Sequence, residues 1–211
     1  MDADLLGTFP NVRLLADHFA REIGATVFVP DYFGGEVLDF DLLAAAKFDQ
    51  LAMEGFVARN GREQREGEIF ATARALKRDL GFKKVRAVGH CYGGWASFRL
   101  GAKEHAEQGQ PLIDCISTRH PSLLTKKDIN EVSVPVQVLA PEIDPVYLAE
   151  MKSYMFETLQ RVNVPFEYRH FPGAVHACFI RGDENKPGER DAMVKGKNAA
   201  VAWFTEYLKV A

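Results

Sequence analysis

Residues 85–95 constrain this chain more than any other stretch. The run Val85-Arg86-Ala87-Val88-Gly89 is apolar and strand-like. It passes into Gly89-His90-Cys91-Tyr92-Gly93-Gly94, and a helix-forming segment starts at once with Trp95. A strand that turns straight into a helix needs small residues at the turn, because Cβ atoms collide where the backbone reverses. Gly89 and Gly93 stand two residues either side of Cys91. This is the Gly-x-Ser-x-Gly spacing of a nucleophile elbow, with cysteine in the serine position. Such a turn lifts the Cys91 sulfur above the carboxyl end of a sheet. It aims the Tyr92 N–H and the N-terminus of the next helix at the same point, and a helix N-terminus favours a thiolate. A buried, inert cysteine in an ordinary Gly-rich βα turn fits the same residues equally well, so the choice falls to the rest of the chain.

On either side the sequence alternates between helical and strand periodicity. Residues 11–24 form a predicted helix with Val12, Leu15, Phe19 and Ile23 on one face and Gly24 as its stop. Residues 25–29 read as a short buried strand, followed by a loop over Asp31-Tyr32-Phe33-Gly34-Gly35-Glu36. The pattern over 39–60, with Phe40, Leu43, Ala44, Phe48 and Leu51 on one face, predicts a helix that is either a lid or a plain surface element. A second amphipathic helix is expected over 62–80, with Ile69, Phe70, Ala73, Leu76 and Leu80 inward. Further strands are expected at 84–89, 111–117, 134–140 and 165–171. Helices are expected at 93–106, 146–162 and 189–209, the last with Val194, Val201, Phe204 and Leu208 inward. Strand–helix alternation of this kind predicts an α/β fold, a mostly parallel sheet covered by helices on both faces.

The chain has 211 residues, enough for one domain with a large core, and a single domain over 1–211 is expected. A net charge of −3 argues against a nucleic-acid-binding surface. No run of 18 apolar residues indicates a membrane span, and the start lacks the basic and apolar segments of a signal peptide. Three cysteines, Cys91, Cys115 and Cys178, suit a reducing compartment, so a cytoplasmic location is expected. They form no Cys-x-x-Cys pair, and neither metal nor cofactor is expected. The expected partner is a small molecule, with the chain a monomer or homodimer.

Reactive residues of such folds sit in loops past the carboxyl ends of strands. Cys91, Asp144 and His176 occupy three of those loops, in the order nucleophile, acid, histidine used by α/β-hydrolases. The chemistry needs these types. His176 takes the thiol proton and later activates water, Asp144 fixes the imidazole tautomer, and Cys91 attacks an acyl carbon. Each also has a plainer use: Asp144 before Pro145 as a helix N-cap, His176 as a surface loop residue. It is their joint placement that favours the triad. His120, in another strand-end loop, either contacts the substrate or the triad, or makes a structural hydrogen bond. Tyr92 and Trp95 read as partly pocket lining and partly packing.

Six segments make the comparison with known families specific. They are Gly7-Thr8-Phe9-Pro10-Asn11 with Leu14-Leu15-Ala16-Asp17; Val29-Pro30-Asp31-Tyr32-Phe33-Gly34-Gly35; Gly89-His90-Cys91-Tyr92-Gly93-Gly94; His120-Pro121-Ser122-Leu123-Leu124; Ala140-Pro141-Glu142-Ile143-Asp144-Pro145; and Phe171-Pro172-Gly173-Ala174-Val175-His176. Together they resemble the dienelactone hydrolase family of α/β-hydrolases, in its fungal branch. The resemblance implies a Cys91–His176–Asp144 triad and an oxyanion hole made by the N–H groups of Tyr92 and Leu5. It places Asp4 where the bacterial enzymes carry a thiol-activating glutamate. It implies arginines that bind a substrate carboxylate: Arg181, with a solvated loop charge as its plainer reading, and one from the 62–74 helix. The family often has His-Gly-Phe where this chain has His176-Ala177-Cys178.

The beginning of the chain departs from that family. A central strand is expected to precede the early oxyanion loop, and Met1-Asp2-Ala3 are too short for one. Either 25–29 pairs directly with 84–89, or a gap remains, or the gene product is truncated; truncation is the favoured expectation. The functional reading is a hydrolase of esters or lactones (EC 3.1.1 type) working through an acyl-thioester. Two alternatives stay open: a catalytically weakened or non-catalytic α/β-hydrolase-like binding protein, and a hydrolase or cyclase of fungal secondary metabolism.

Overall fold

A computed structural model describes residues 2–3, 10–39, 42, 50–181, 185 and 187–208. Five strands, β1 (Asp2–Ala3), β2 (Arg86–His90), β3 (Cys115–Arg119), β4 (Val136–Ile143) and β5 (Phe166–Val175), lie side by side in chain order, every neighbouring pair parallel. The described helices are α1 (Pro10–Ile23), α2 (Met53–Asn60), α3 (Arg62–Arg78), α4 (Gly93–Leu100), α5 (Lys126–Glu131), α6 (Ala149–Arg161), α7 (Cys178–Arg181) and α8 (Pro187–Leu208).

The period of two along each strand sorts the core into layers. Ala87, Ile116, Val138 and Ala140 face the cluster built with α3, α4, α5 and α6. Their chain neighbours Val88 and Cys115 face α1 and α8, and Leu139 packs with Phe179 of α7 and Ala199 of α8. Both faces are covered, as the near-continuous apolar strands require.

Several boundaries differ from expectation. Pro111–Asp114 run as bends before β3, because the Asp114 carboxylate accepts the Val85 N–H at 2.8 Å and pins the chain there. The helix after the elbow stops at Leu100, where an added Cβ on Gly101 would lie 2.6 Å from Val134 Cγ2; a short 3₁₀ turn, Lys103–His105, follows. Helix α3 ends at Arg78, which leaves Leu80 exposed. Val194 is also exposed, whereas Phe204 is buried as expected, together with Ala192, Ala199, Ala200 and Trp203 of α8. Of the helix expected over 39–60, Met53–Asn60 is helical and Leu51 is buried. Phe40, Leu43, Ala44 and Phe48 lie outside the described residues.

Two corrections concern the start of the sheet. Asp2 and Ala3 do form a strand, in register with Val88 and Gly89, since two residues suffice for a parallel bridge. Residues 25–29 form no strand and pair with none among the described residues. They stand off from β2 across a cavity of about 300 Å³, which Gly24–Phe28, Lys84–Arg86, Phe19 and Phe204 help to line.

Candidate active site

The elbow forms as the glycine spacing requires. Cys91 has φ of +46°, in the left-handed region that L side chains rarely adopt. A Cβ on Gly89 would lie 2.2 Å from Gly93 O, and one on Gly94 would lie 2.4 Å from Pro121 Cβ. The strand, the turn and the loop after β3 therefore close on one another with no room for side chains. Cys91 is 4 % exposed, and its sulfur sits at the carboxyl end of the sheet.

His176 follows β5 directly, and its N–H donates to Ile143 O at 2.9 Å, fixing the loop against the end of β4. Its Nε2 is 3.3 Å from Cys91 Sγ, and its Nδ1 is 2.9 Å from Asp144 Oδ1. The same carboxylate oxygen accepts the Val146 and Tyr147 N–H groups at 2.9 and 2.8 Å. Asp144 is not the expected helix N-cap, since α6 starts at Ala149 with Leu148 before it; its carboxylate holds the preceding turn and orients the imidazole. Cys91, His176 and Asp144, separated by up to 85 residues in sequence, form one continuous polar line.

Charge follows this line. Burial opposes a charged His176, yet its hydrogen bonds to Asp144 and to the Cys91 sulfur outweigh burial and hold the imidazole up at about 10. Burial also pushes Asp144 upward; the His176 hydrogen bond and charge, with the two backbone donors, more than reverse this and bring its carboxyl below the usual range. The His176 ring is expected to stay protonated through neutral pH in an NMR titration. In Cys91→Ala its step should move down, because the sulfur's share is lost and the burial penalty stays. The folded value is raised above the unfolded 6.5, so His176 contributes stability that is complete below about 6.5 and lost as pH rises through about 10. A wild-type step at or below 6.5 would contradict this ion-paired arrangement.

His120 is fully buried behind His176, with ring centroids 4.7 Å apart. Burial first, and then the neighbouring His176, His90, Arg181 and Arg119, hold it well below the usual histidine range. A neutral ring matches its contact, for Nδ1 accepts the Cys91 N–H at 3.2 Å. Of its expected uses the structure shows a hydrogen bond, and that bond and the ring contact reach Cys91 and His176. Three non-glycine residues at these strand ends, Cys91, His120 (φ +37°) and Ala177 (φ +68°), share left-handed backbone, a cost of roughly 1–3 kcal/mol each that the surrounding packing must offset. Ala177 adopts this conformation despite its Cβ.

The remaining candidates fall in different places. Trp95 is 0 % exposed; it packs on Tyr92 (ring centroids 5.3 Å) and under the Arg62 guanidinium (5.0 Å), so it belongs to the core. The Tyr92 side chain is buried too, its hydroxyl donating to Asn60 O at 2.8 Å, which leaves the backbone N–H as its link to the sulfur's chemistry. The arginines of α3 are engaged: Arg62 by Asp128 at 2.7 and 2.8 Å, Arg65 by Asn60 and Glu68, and Arg74 by Glu107. Arg181 ends α7, half-buried, and its Nε has no hydrogen-bond partner among the described residues. Asp4 and Leu5 lie outside the described residues. Cys91, His120 and His176 each bring a potential metal-ligand atom within 4.8 Å of the others, although His176 Nδ1 and His120 Nδ1 are already taken. Ser122, absent from the expected set, places Oγ 3.5 Å from Cys91 Sγ. Its position in a strand-end loop was the signal for it. No helix among the described residues is long and apolar enough to cross a membrane.

Comparison with known proteins agrees with this fold. The chain is 29% identical over 213 residues to Hydrolase tropI of Talaromyces stipitatus, covering 98% of this chain and 80% of that protein. It is 26% identical to Hydrolase pyvD of Aspergillus violaceofuscus, with the same coverage. Among solved structures, a dienelactone hydrolase-like promiscuous phosphotriesterase from metagenomic libraries superposes with a TM-score of 0.72 at 21% identity, over 97% of this chain and 84% of that one. The model of the dienelactone hydrolase family matches residues 3–208, and the chain belongs to that family of hydrolases.

Proposed function

We propose that this hydrolase cleaves carboxylic esters or lactones through a Cys91–His176–Asp144 triad. The observation that carries the reading is the imidazole bridging Cys91 Sγ at 3.3 Å and Asp144 Oδ1 at 2.9 Å, with the sulfur on a left-handed elbow. With the thiol's proton already resting on His176 Nε2, the sulfur attacks the carbonyl carbon. The C–S bond forms as the carbonyl electron pair moves onto oxygen, where the Tyr92 N–H donates. The family resemblance adds Leu5 N–H as a second donor and Asp4 as a thiol-activating group. Collapse of the intermediate expels the alkoxide, which takes the proton from His176 and leaves an acyl-thioester. Water then gives a proton to His176 and attacks the acyl carbon. The acid departs and the starting pair is restored.

Unpaired Cys91, Cys115 and Cys178 support placing this chemistry in a reducing, cytoplasmic setting. The test is to trap the intermediate. Intact-mass and peptide analysis after mixing with p-nitrophenyl acetate is expected to find one acetyl group, on Cys91. Turnover with the label on another residue, or unchanged in Cys91→Ser, would overturn the reading.

A further inference from the structure

The turn that follows β3 holds the nucleophile at several points. Arg119 O accepts the Cys91 N–H at 3.1 Å, a donor shared with His120 Nδ1. The Ser122 N–H donates to Cys91 O at 2.9 Å. Pro121, between them, packs against Gly94 so closely that a single added Cβ would overlap it. This bracket sets Ser122 Oγ 3.5 Å from Cys91 Sγ, within hydrogen-bond reach for sulfur. The sulfur therefore has two polar side-chain neighbours from different strand ends, His176 after β5 and Ser122 after β3. Ser122 is partly exposed, whereas Cys91 is buried.

A hydroxyl rotates to suit its partner and can donate to an anionic sulfur. His176 already donates one hydrogen bond there, and both nitrogens of that ring are committed. We propose that Ser122 is a further catalytic residue, whose hydroxyl donates the second hydrogen bond to the Cys91 thiolate and lets go of it as the C–S bond forms. Attack removes the negative charge from sulfur, so the Ser122 hydrogen bond is strong before acylation and weak after it. When the thioester is hydrolysed and the charge returns, the hydrogen bond forms again. The proposal rests on the reading of Cys91 as nucleophile.

The experiment is the pH dependence of iodoacetamide alkylation, followed peptide by peptide, with Cys115 and Cys178 as internal references. It is combined with kcat and KM for p-nitrophenyl acetate. In Ser122→Ala the alkylation midpoint of Cys91 is expected to rise by about one pH unit, the tenfold worth of one hydrogen bond to a charged group. Then kcat/KM at neutral pH should fall roughly tenfold, and Ser122→Thr, which keeps the hydroxyl, should restore both. An unmoved midpoint in a folded Ser122→Ala overturns the proposal, even if its thermal stability drops, because a purely structural serine would do only the latter. If Ser122→Ala fails to fold, Ser122→Cys, similar in volume and a weak donor, carries the same expectation. Equal labelling of all three cysteines in the wild type would instead sink the nucleophile reading beneath it.

Discussion

Replacing Cys91 by alanine is expected to lower hydrolysis of p-nitrophenyl acetate by about 10⁶-fold, leaving only the rate that binding and backbone donors supply. The size of the loss follows from the absence of a substitute. Cys115 and Cys178 are both fully buried, and burial pushes each thiol up to about 12, so neither offers a thiolate at neutral pH. Ser122 Oγ is near, but it is 31 residues away in sequence and its turn is committed to holding the elbow. His176→Ala should cost nearly as much, since the imidazole is both proton acceptor and the partner that holds the sulfur, and members of such a unit are not additive. Steady-state rates of the two single variants and the double variant settle this. A double variant much slower than either single one would mean that Cys91 and His176 act separately.

Asp144→Asn is the second large effect, a fall in kcat on the order of 10²–10⁴ with KM little changed. Asp144 Oδ1 accepts from His176 and from two backbone N–H groups, and an asparagine oxygen in that position keeps all three geometries. What asparagine loses is the negative charge that stabilises the imidazolium. Its amide nitrogen would also replace Oδ2, a buried atom with no partner among the described residues. The His176 step in the NMR titration should therefore drop together with kcat. A variant with lowered kcat and an unmoved His176 step would show that Asp144 acts only as a brace for the turn before α6.

Legibility of the fold and site in the sequence tracks the range of the interactions involved. The elbow was legible because its cause is local: Gly89 and Gly93 are within four residues of each other, and the clash they avoid is written into that spacing. Strand-end positions of Asp144 and His176 were legible through the alternation of strands and helices. The role of His120 was open until its Nδ1 was found on the Cys91 N–H. The α3 arginines were open in the same way; nothing near Arg62 in sequence announces Asp128, whose carboxylate also closes a capping box with Thr125 at the start of α5. Trp95 read as partly pocket lining because aromatic residues beside a nucleophile often are. Its burial depends on α3 and on Tyr92, and no local pattern shows that.

The sequence by itself determined the parallel α/β layering, the sharp turn at Cys91 and the strand-end order of Cys91, Asp144 and His176, all of which follow from neighbouring residues and hydrophobic period. Only the tertiary structure decided that Asp2–Ala3 pair with β2 while 25–29 remain off the sheet, and that Ser122 touches the sulfur. A backbone pairing or a side-chain contact between segments tens of residues apart depends on how the intervening helices pack, and that packing is a property of the whole chain.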